Sequence, residues 1–505
     1  MTDRGSSRRE WTFFDLPVPQ YANVPELVVS ALAWSATDKG KAPSSVLGRP
    51  SKGIVYQLVD PSKGLAPDSE KKVRIETMPP DHGPRWDKLT ANLTESLSLP
   101  DQETAEKVAR IFLHDLLGNV PARAVSRSIV PFNAFTALMQ DPPGMVGAEN
   151  PPNFALMMQR MFVLGNGQGD AARLLADAYK WVNQNHKNDW ITNATSTITP
   201  DEVYIAAASL LTDNDADAEP NFNTTLPAWL VHEQTPFSWF ANAWGNLMQG
   251  KWKEKMPRRR WVDWASCILR TALGAGYVFE LNFYYQLVLA LTNDMAEGDA
   301  AEKALSRHTN FFTWDAFSSV STRDVASRIR KICERGTACR AFIQNQAGED
   351  DPCPKPFDYF DDPKGPEHWI RDARVWLGDD EAKQERVRQA IAGARNRTAN
   401  NAQETINFAL LDRGDKGGNE DLYSLIRKRG RRYSVVEPGQ EWFVVVASMQ
   451  ASDASEATRV ADVVVALDAI GVTTGYKTIV NELERVGLAR TSHDADDAIE
   501  VAAAF

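Results

Sequence analysis

The stretch ILRTALGAGYVFELNFYYQLVLALT, Ile268 to Thr292, constrains this chain more than any other. Its length approaches that of a membrane-spanning helix. It nevertheless carries Arg270, Glu280, Asn282 and Gln286, and such groups are costly in hydrocarbon. A helix this apolar on all sides belongs in the middle of a large bundle. The stretch therefore predicts a buried core helix near residues 261–292 and no membrane partner.

A chain of 505 residues is too long for one simple core, and two to four domains are expected. Hydrophobic residues at 43% and charged residues at 24% are ordinary for a soluble protein. Fifteen tryptophans favour large cores or contact surfaces. The net charge of −11 argues against the whole protein being an electrostatic nucleic-acid binder, so any such contact must come from a local patch. Four cysteines, Cys267, Cys333, Cys339 and Cys353, do not make a disulfide scaffold and fit a reducing cytoplasm. The opening MTDRGSSRREWTFFDLPVPQ lacks the apolar run of a signal peptide, and a cytoplasmic location is expected.

Patterning along the chain predicts a mainly α, multidomain protein. Residues 1–100 read as an irregular β-containing region, with strand-like runs GIVYQLV and KVRIETM between turn signals. Residues 101–344 read as a helical core domain. Within it, Val108, Ile111, Phe112 and Leu116 share one helical face, and TPFSWFANAWGNLMQG opens on a Thr235 cap and closes on Gly250. Residues 345–365, rich in Pro, Asp and Gly, read as an exposed linker or loop. A second helical region spans 366–436, with Gly430 ending a helix. EWFVVVASM reads equally as strand or helix.

The last domain, 437–505, carries a more specific pattern. EATRVADVVVALDAIG has the length and period of an amphipathic helix ending on glycine. VTTGYKTIVNELERVGL follows, with Thr473 or Thr474 as cap and Tyr476, Ile479, Val480 and Leu483 on an apolar face. LARTSHDADDAIEVAAAF then alternates around a polar tip, His493 to Asp497. Helix, turn, helix and two-stranded wing resemble the winged-helix family over the last 50 or so residues. From Asp453 to Phe505, ten acids face four bases, a balance of −6. An acidic wing tip repels phosphate, so contact with other protein subunits, or with this chain itself, is expected of this module.

Two basic segments are the candidate nucleic-acid contacts. KWKEKMPRRRW contributes Lys251, Trp252, Lys253, Lys255, Arg258, Arg259 and Arg260, with Trp261 closing it. IRKRGRRY contributes Arg427, Lys428, Arg429, Arg431 and Arg432. Cations beside aromatics suit phosphate contact with base stacking, on DNA or RNA. The competing reading is a solvated loop or helix end whose arginines pair with surplus acids or cap carbonyls.

Other motifs fall short of their chemistry. Gly165, Gly167 and Gly169 follow a helical run, where a dinucleotide fingerprint needs a strand, and read as an interhelical turn. DNDADAEPNFNT places Ala218 and Thr224 where a calcium loop needs Gly and Glu. Cys333, Cys339 and Cys353 lack the tight pairs of structural zinc. The seven histidines are scattered. No catalytic residue, metal or cofactor is therefore expected, although a nuclease built from scattered carboxylates would escape such a scan. Asp81, Asp87 and Lys88 come nearest to one.

These readings converge on a non-catalytic assembly or recognition subunit that touches protein through its tail and nucleic acid through its basic loops. The large tryptophan-rich helical body with a winged-helix end resembles accessory subunits of multi-gene bacterial antiviral defence systems. A divergent metal-dependent nuclease and a winged-helix DNA-binding regulator are the alternatives.

Overall fold

The computed structural model describes residues 10–17, 26–36, 57–58, 74–75, 83–116, 130–138, 154–185, 190–197, 225–305, 311–314, 324–412, 421–429, 433–490 and 499–505. The first part comprises α1 (Glu26–Ser35), the parallel pair β1 (Gln57–Leu58) and β2 (Arg74–Ile75), then α2 (Pro84–Leu97), α3 (Gln102–Leu116), α4 (Ala134–Leu138), α5 (Phe154–Leu164), α6 (Ala171–Asn185) and α7 (Trp190–Thr197). Both strand-like runs of the N-terminal region thus contain a strand, but α1 and α2 are helices in a region expected to be irregular.

The centre follows: α8 (Pro236–Gln249), the single turn α9 (Trp252–Lys255), α10 (Arg258–Ala290), α11 (Glu297–Leu305), β3 (Phe312–Thr313) and α12 (Val325–Asn345). Thr235 and Ser238 cap α8 reciprocally, and Gly250 closes it, as its sequence requires. The polar-studded apolar stretch lies in α10, a rod about 50 Å long. Its residues from Cys267 to Tyr284 are all buried. No helix among the described residues is long and apolar enough to cross a membrane.

Around α10 pack α5, α8, α11, α12 and, from the next part, α15. The crossing with α12 is tight. A Cβ at Gly336 would lie 2.3 Å from the Leu281 carbonyl oxygen, so only glycine lets the two backbones approach this far. The helix runs through Gly336 without a break, to Asn345.

The next part holds α13 (Gly365–Leu377), α14 (Glu381–Ala392), α15 (Arg397–Leu410) and the antiparallel pair β4 (Ile426–Arg429) and β5 (Tyr433–Val436). The tail holds α16 (Gln440–Ser448), β6 (Thr458–Arg459), α17 (Val460–Ile470), β7 (Val472–Thr473), α18 (Tyr476–Arg485), β8 (Ala489–Arg490) and β9 (Glu500–Val501). In the tail the sheet order is β6-β9-β8, antiparallel throughout, while β7 pairs in parallel with β3 of the body. Gly471 takes the left-handed conformation, φ 88°, that ends α17.

The protein is mainly α, and among the described residues its strands form four small sheets. Several local expectations need correction. The basic run at 426–429 is a strand, so Gly430 does not follow a helix; pairing with YSVV outweighs the helical tendency of Arg and Lys. Residues 345–365 are held against the body, because Cys353 and Phe360 are buried and Trp369 Nε1 donates to the Pro354 carbonyl at 2.8 Å. On α3 the buried stripe is Ala105, Ala109, Phe112 and Leu113, which leaves Ile111 68% exposed. On α18, Ile479 and Leu483 are buried but Tyr476 is exposed, and Gly475 occupies the cap position expected of Thr473 or Thr474. EWFVVVAS is helical, within α16, and Met449 caps it.

Candidate functional site

The first basic segment follows α8 and folds as the turn α9 and the start of α10. Its two tryptophans fill the interior. Trp252 is fully buried with its ring 5.5 Å from that of Trp264, and Trp261 meets Tyr179 edge-on at 5.7 Å. Neither ring has a free face on which a base could stack, which corrects that part of the expectation for Trp252. The cations divide between the surface and internal partners. Lys251 lies 3.2 Å from Asp453. Lys253 donates to the Met248 carbonyl at 2.9 Å and sits over the Trp181 ring, and burial holds its pKa below the ordinary lysine value. Arg258 donates to Thr192 Oγ1 at 2.7 Å, Arg259 pairs with Asp263 at 3.0 Å, and Arg260 bonds Glu441 and Tyr423. Lys255 is exposed.

In the second basic segment, strand alternation decides who pairs with whom. Arg427 lies 3.3 Å from Glu437, and Arg429 also bonds that carboxylate. Lys428 is exposed, and Tyr433, opposite Arg429, is 45% exposed. Arg431 and Arg432 lie outside the described residues, as do Asp81, the calcium-like loop and the wing tip.

The two segments share a neighbour. Glu437 takes the strand arginines, Glu441 takes Arg260 and Asp453 takes Lys251, and these three acids border α16 on either side or lie on it. The tail is thus fastened to the chain's own basic segments. Exposed pairs of this kind contribute at most about 1 kcal/mol each. The apolar seam contributes more. Trp442 is buried with its Nε1 donating to Thr271 at 2.9 Å, Trp314 meets Phe443, and Trp264 meets Phe505 at 5.7 Å. The opposite side of α18 presents Tyr476, Lys477, Asn481, Glu484 and Arg485 to solvent.

A second constellation joins residues that no motif groups. Arg160 of α5, Tyr277, Glu280 and Tyr284 of α10, and Arg340 of α12 surround residues 13–17. Phe13 and Phe14 are wholly buried among Trp229, Phe237, Phe279, Phe283 and Trp369. The signal available in sequence was limited to a lone glutamate in an apolar run and an aromatic pair in a proline-flanked segment.

Nucleophiles and metal ligands are placed unfavourably for chemistry at the described positions. All four cysteines are buried and free, and burial pushes the thiols of Cys267, Cys339 and Cys353 up to about 12. His368 bonds Asp362, and its neighbour Asp372 accepts from Tyr359 at 2.8 Å. Asp87 and Lys88 are exposed on α2. Among the described residues no group of three or more His, Cys, Asp or Glu is arranged to hold a metal ion. Gly165, Gly167 and Gly169 form the turn between α5 and α6, where Asn166 and Gly169 have positive φ.

No known family model, curated protein or solved structure matches this chain.

Proposed function

We propose that this protein is a recognition or assembly subunit that works by presenting surfaces, with its C-terminal module acting as a winged helix turned toward a protein partner. The observation that carries this reading is the tail's element order. With β7 set aside, because it pairs with β3 of the body, the tail from α16 to β9 runs helix, strand, helix, helix, strand, strand, and its own sheet is ordered β6-β9-β8. That is the succession expected of a winged helix, with α18 in the place of the helix that reads a partner. The first two helices pack on the body and each other, and α18 keeps one side exposed. The acid surplus of the tail favours a protein surface with basic patches over phosphate. Among the described cations and aromatics of the basic segments, Lys251, Lys255, Lys428, Arg429 and Tyr433 are exposed, and these are the places where nucleic acid would touch. A multi-gene bacterial antiviral system is the setting this reading suggests.

The test is co-purification from the native host with the triple substitution Tyr476→Ala, Lys477→Glu and Asn481→Ala, which touches exposed positions only. Loss of a stoichiometric partner, with an unchanged melting temperature, is expected. Retention of every partner would refute the reading. Duplex DNA binding with a steep salt slope that vanishes in Lys477→Glu would point instead to a DNA-binding regulator. Metal-dependent cleavage of DNA, abolished by a single carboxylate change, would point to a nuclease.

A further inference from the structure

Residues 13–17 run along one face of α10. The Phe13 backbone N–H donates to the Tyr284 hydroxyl at 2.9 Å, and the Tyr277 hydroxyl donates to the Pro17 carbonyl at 2.6 Å. Tyr277 precedes Glu280 by three residues and Tyr284 follows it by four, so the three side chains share that face and the segment passes over Glu280. The lengths agree: seven helical residues rise about 10 Å, and four extended residues reach about 13 Å.

Two arginines grip the segment's carbonyls. Arg160 Nε donates to Phe14 at 2.7 Å, and Arg340 donates to Leu16. Arg340 also lies 3.1 Å from Glu280. Glu280 is wholly buried, and neither of its carboxylate oxygens has a hydrogen-bond partner. The groups that face it are Arg340 from α12 and Tyr277 and Tyr284 from its own helix; Asp15 of the segment draws on both Arg340 and Arg160. The segment itself has no helix or strand, so side chains of three helices do most of the work of holding it.

We propose that residues 10–17 form a pH-sensitive latch over a buried carboxylate, and that it opens in preference to the rest of the fold as the pH rises. The physical reason is hydration. Burial pushes the Glu280 carboxyl up to about 7, against the pull of Arg340. Opening the latch admits water to Glu280 and returns it toward the ordinary value of 4.5. The closed state therefore holds the proton more tightly than the open one. Closure is strongest below the ordinary carboxylate pKa, weakens as the pH climbs toward 7, and stays weakened above it.

Hydrogen exchange of the full chain at pH 5, 6, 7 and 8, corrected for intrinsic rates, tests this. Protection of the amides of residues 11–16 is expected to fall by up to about tenfold per pH unit below pH 7, while the middle of α10 stays protected. Glu280→Gln should remove that slope. Tyr277→Phe, which keeps the carboxylate and loses one bond to the segment, should lower latch protection at every pH and keep the slope. A wild-type profile without slope, an equal slope in Glu280→Gln, or exchange of the segment only in step with α10 would each overturn the proposal. None of these outcomes bears on the tail surface, so the two proposals stand or fall separately.

Discussion

Arg270 and Asp421, far apart in the chain, meet in a two-pronged ion pair, with guanidinium-to-carboxylate distances of 2.8 and 3.3 Å. The third arm of the guanidinium donates to the Ala409 carbonyl at 3.0 Å. The side chains are 8% and 13% exposed, so their charges are withdrawn from water and depend on each other. One contact thereby fixes the central helix, the end of α15 and the approach to the β4–β5 hairpin. Asp421→Ala leaves a buried cation unpaired and should cost about 3–5 kcal/mol in urea unfolding. The double change Arg270→Met with Asp421→Ala should recover much of that loss. A single-variant loss under about 1 kcal/mol would show that water reaches the site.

Gly336→Ala places a methyl group against the Leu281 backbone, which cannot rotate away as a side chain can. Pushing α12 off α10 should cost about 1–3 kcal/mol, read as a lower denaturation midpoint with an unchanged m value. Gly348→Ala, where a Cβ meets nothing within 4 Å, is the control and should change stability little.

The thiols offer a chemical check on the core. With Cys267, Cys339 and Cys353 raised to about 12, a thiol reagent at pH 8 meets roughly one thiolate in ten thousand at each site, besides being blocked by burial. The native protein should show no rapid thiol titration, and all four cysteines should react after denaturation. Fast labelling of any one of them in the folded protein would contradict its burial.

Deleting residues 453–505 should destabilise the whole protein as well as remove a module. The cut strips Phe505 from Trp264, removes β7 from β3 and uncovers the surface of α8 and α10 on which α17 packs. Increased dye binding to apolar surface and aggregation on mild heating are the expected readouts. A deletion variant as stable as the full chain would show that the seam contributes little, and would make it a clean probe of partner binding.

What was legible in the sequence is what local periodicity and caps control. The central helix could be read from its apolar run and from the few polar residues that rule out lipid. Thr235, Gly250 and Gly471 marked their helix ends, because capping depends on neighbours in the chain. In the tail, α17 and α18 were likewise readable from period and turn residues, whereas α16 read equally as strand or helix and β6 and β7 gave no signal. Less legible was which side of a helix faces inward, as Ile111 and Tyr476 show, because an apolar residue near the edge of a stripe is buried only if a neighbouring helix reaches it.

The candidate sites depended on contacts between distant segments. Taken alone, the basic runs offered the same cations to phosphate or to carboxylates; the tertiary structure sets Glu437, Glu441 and Asp453 beside them and turns Trp252 and Trp261 inward. Nothing local to WTFFDLP foretells that Arg160, Tyr277, Tyr284 and Arg340 enclose it. The sequence by itself determined a mainly helical protein with a buried central rod, because periodicity and the cost of burying charge act within a few residues. Only the tertiary structure decided which charges are spent inside the molecule and which side chains remain at the surface, because pairing a charge requires a partner brought from elsewhere in the chain.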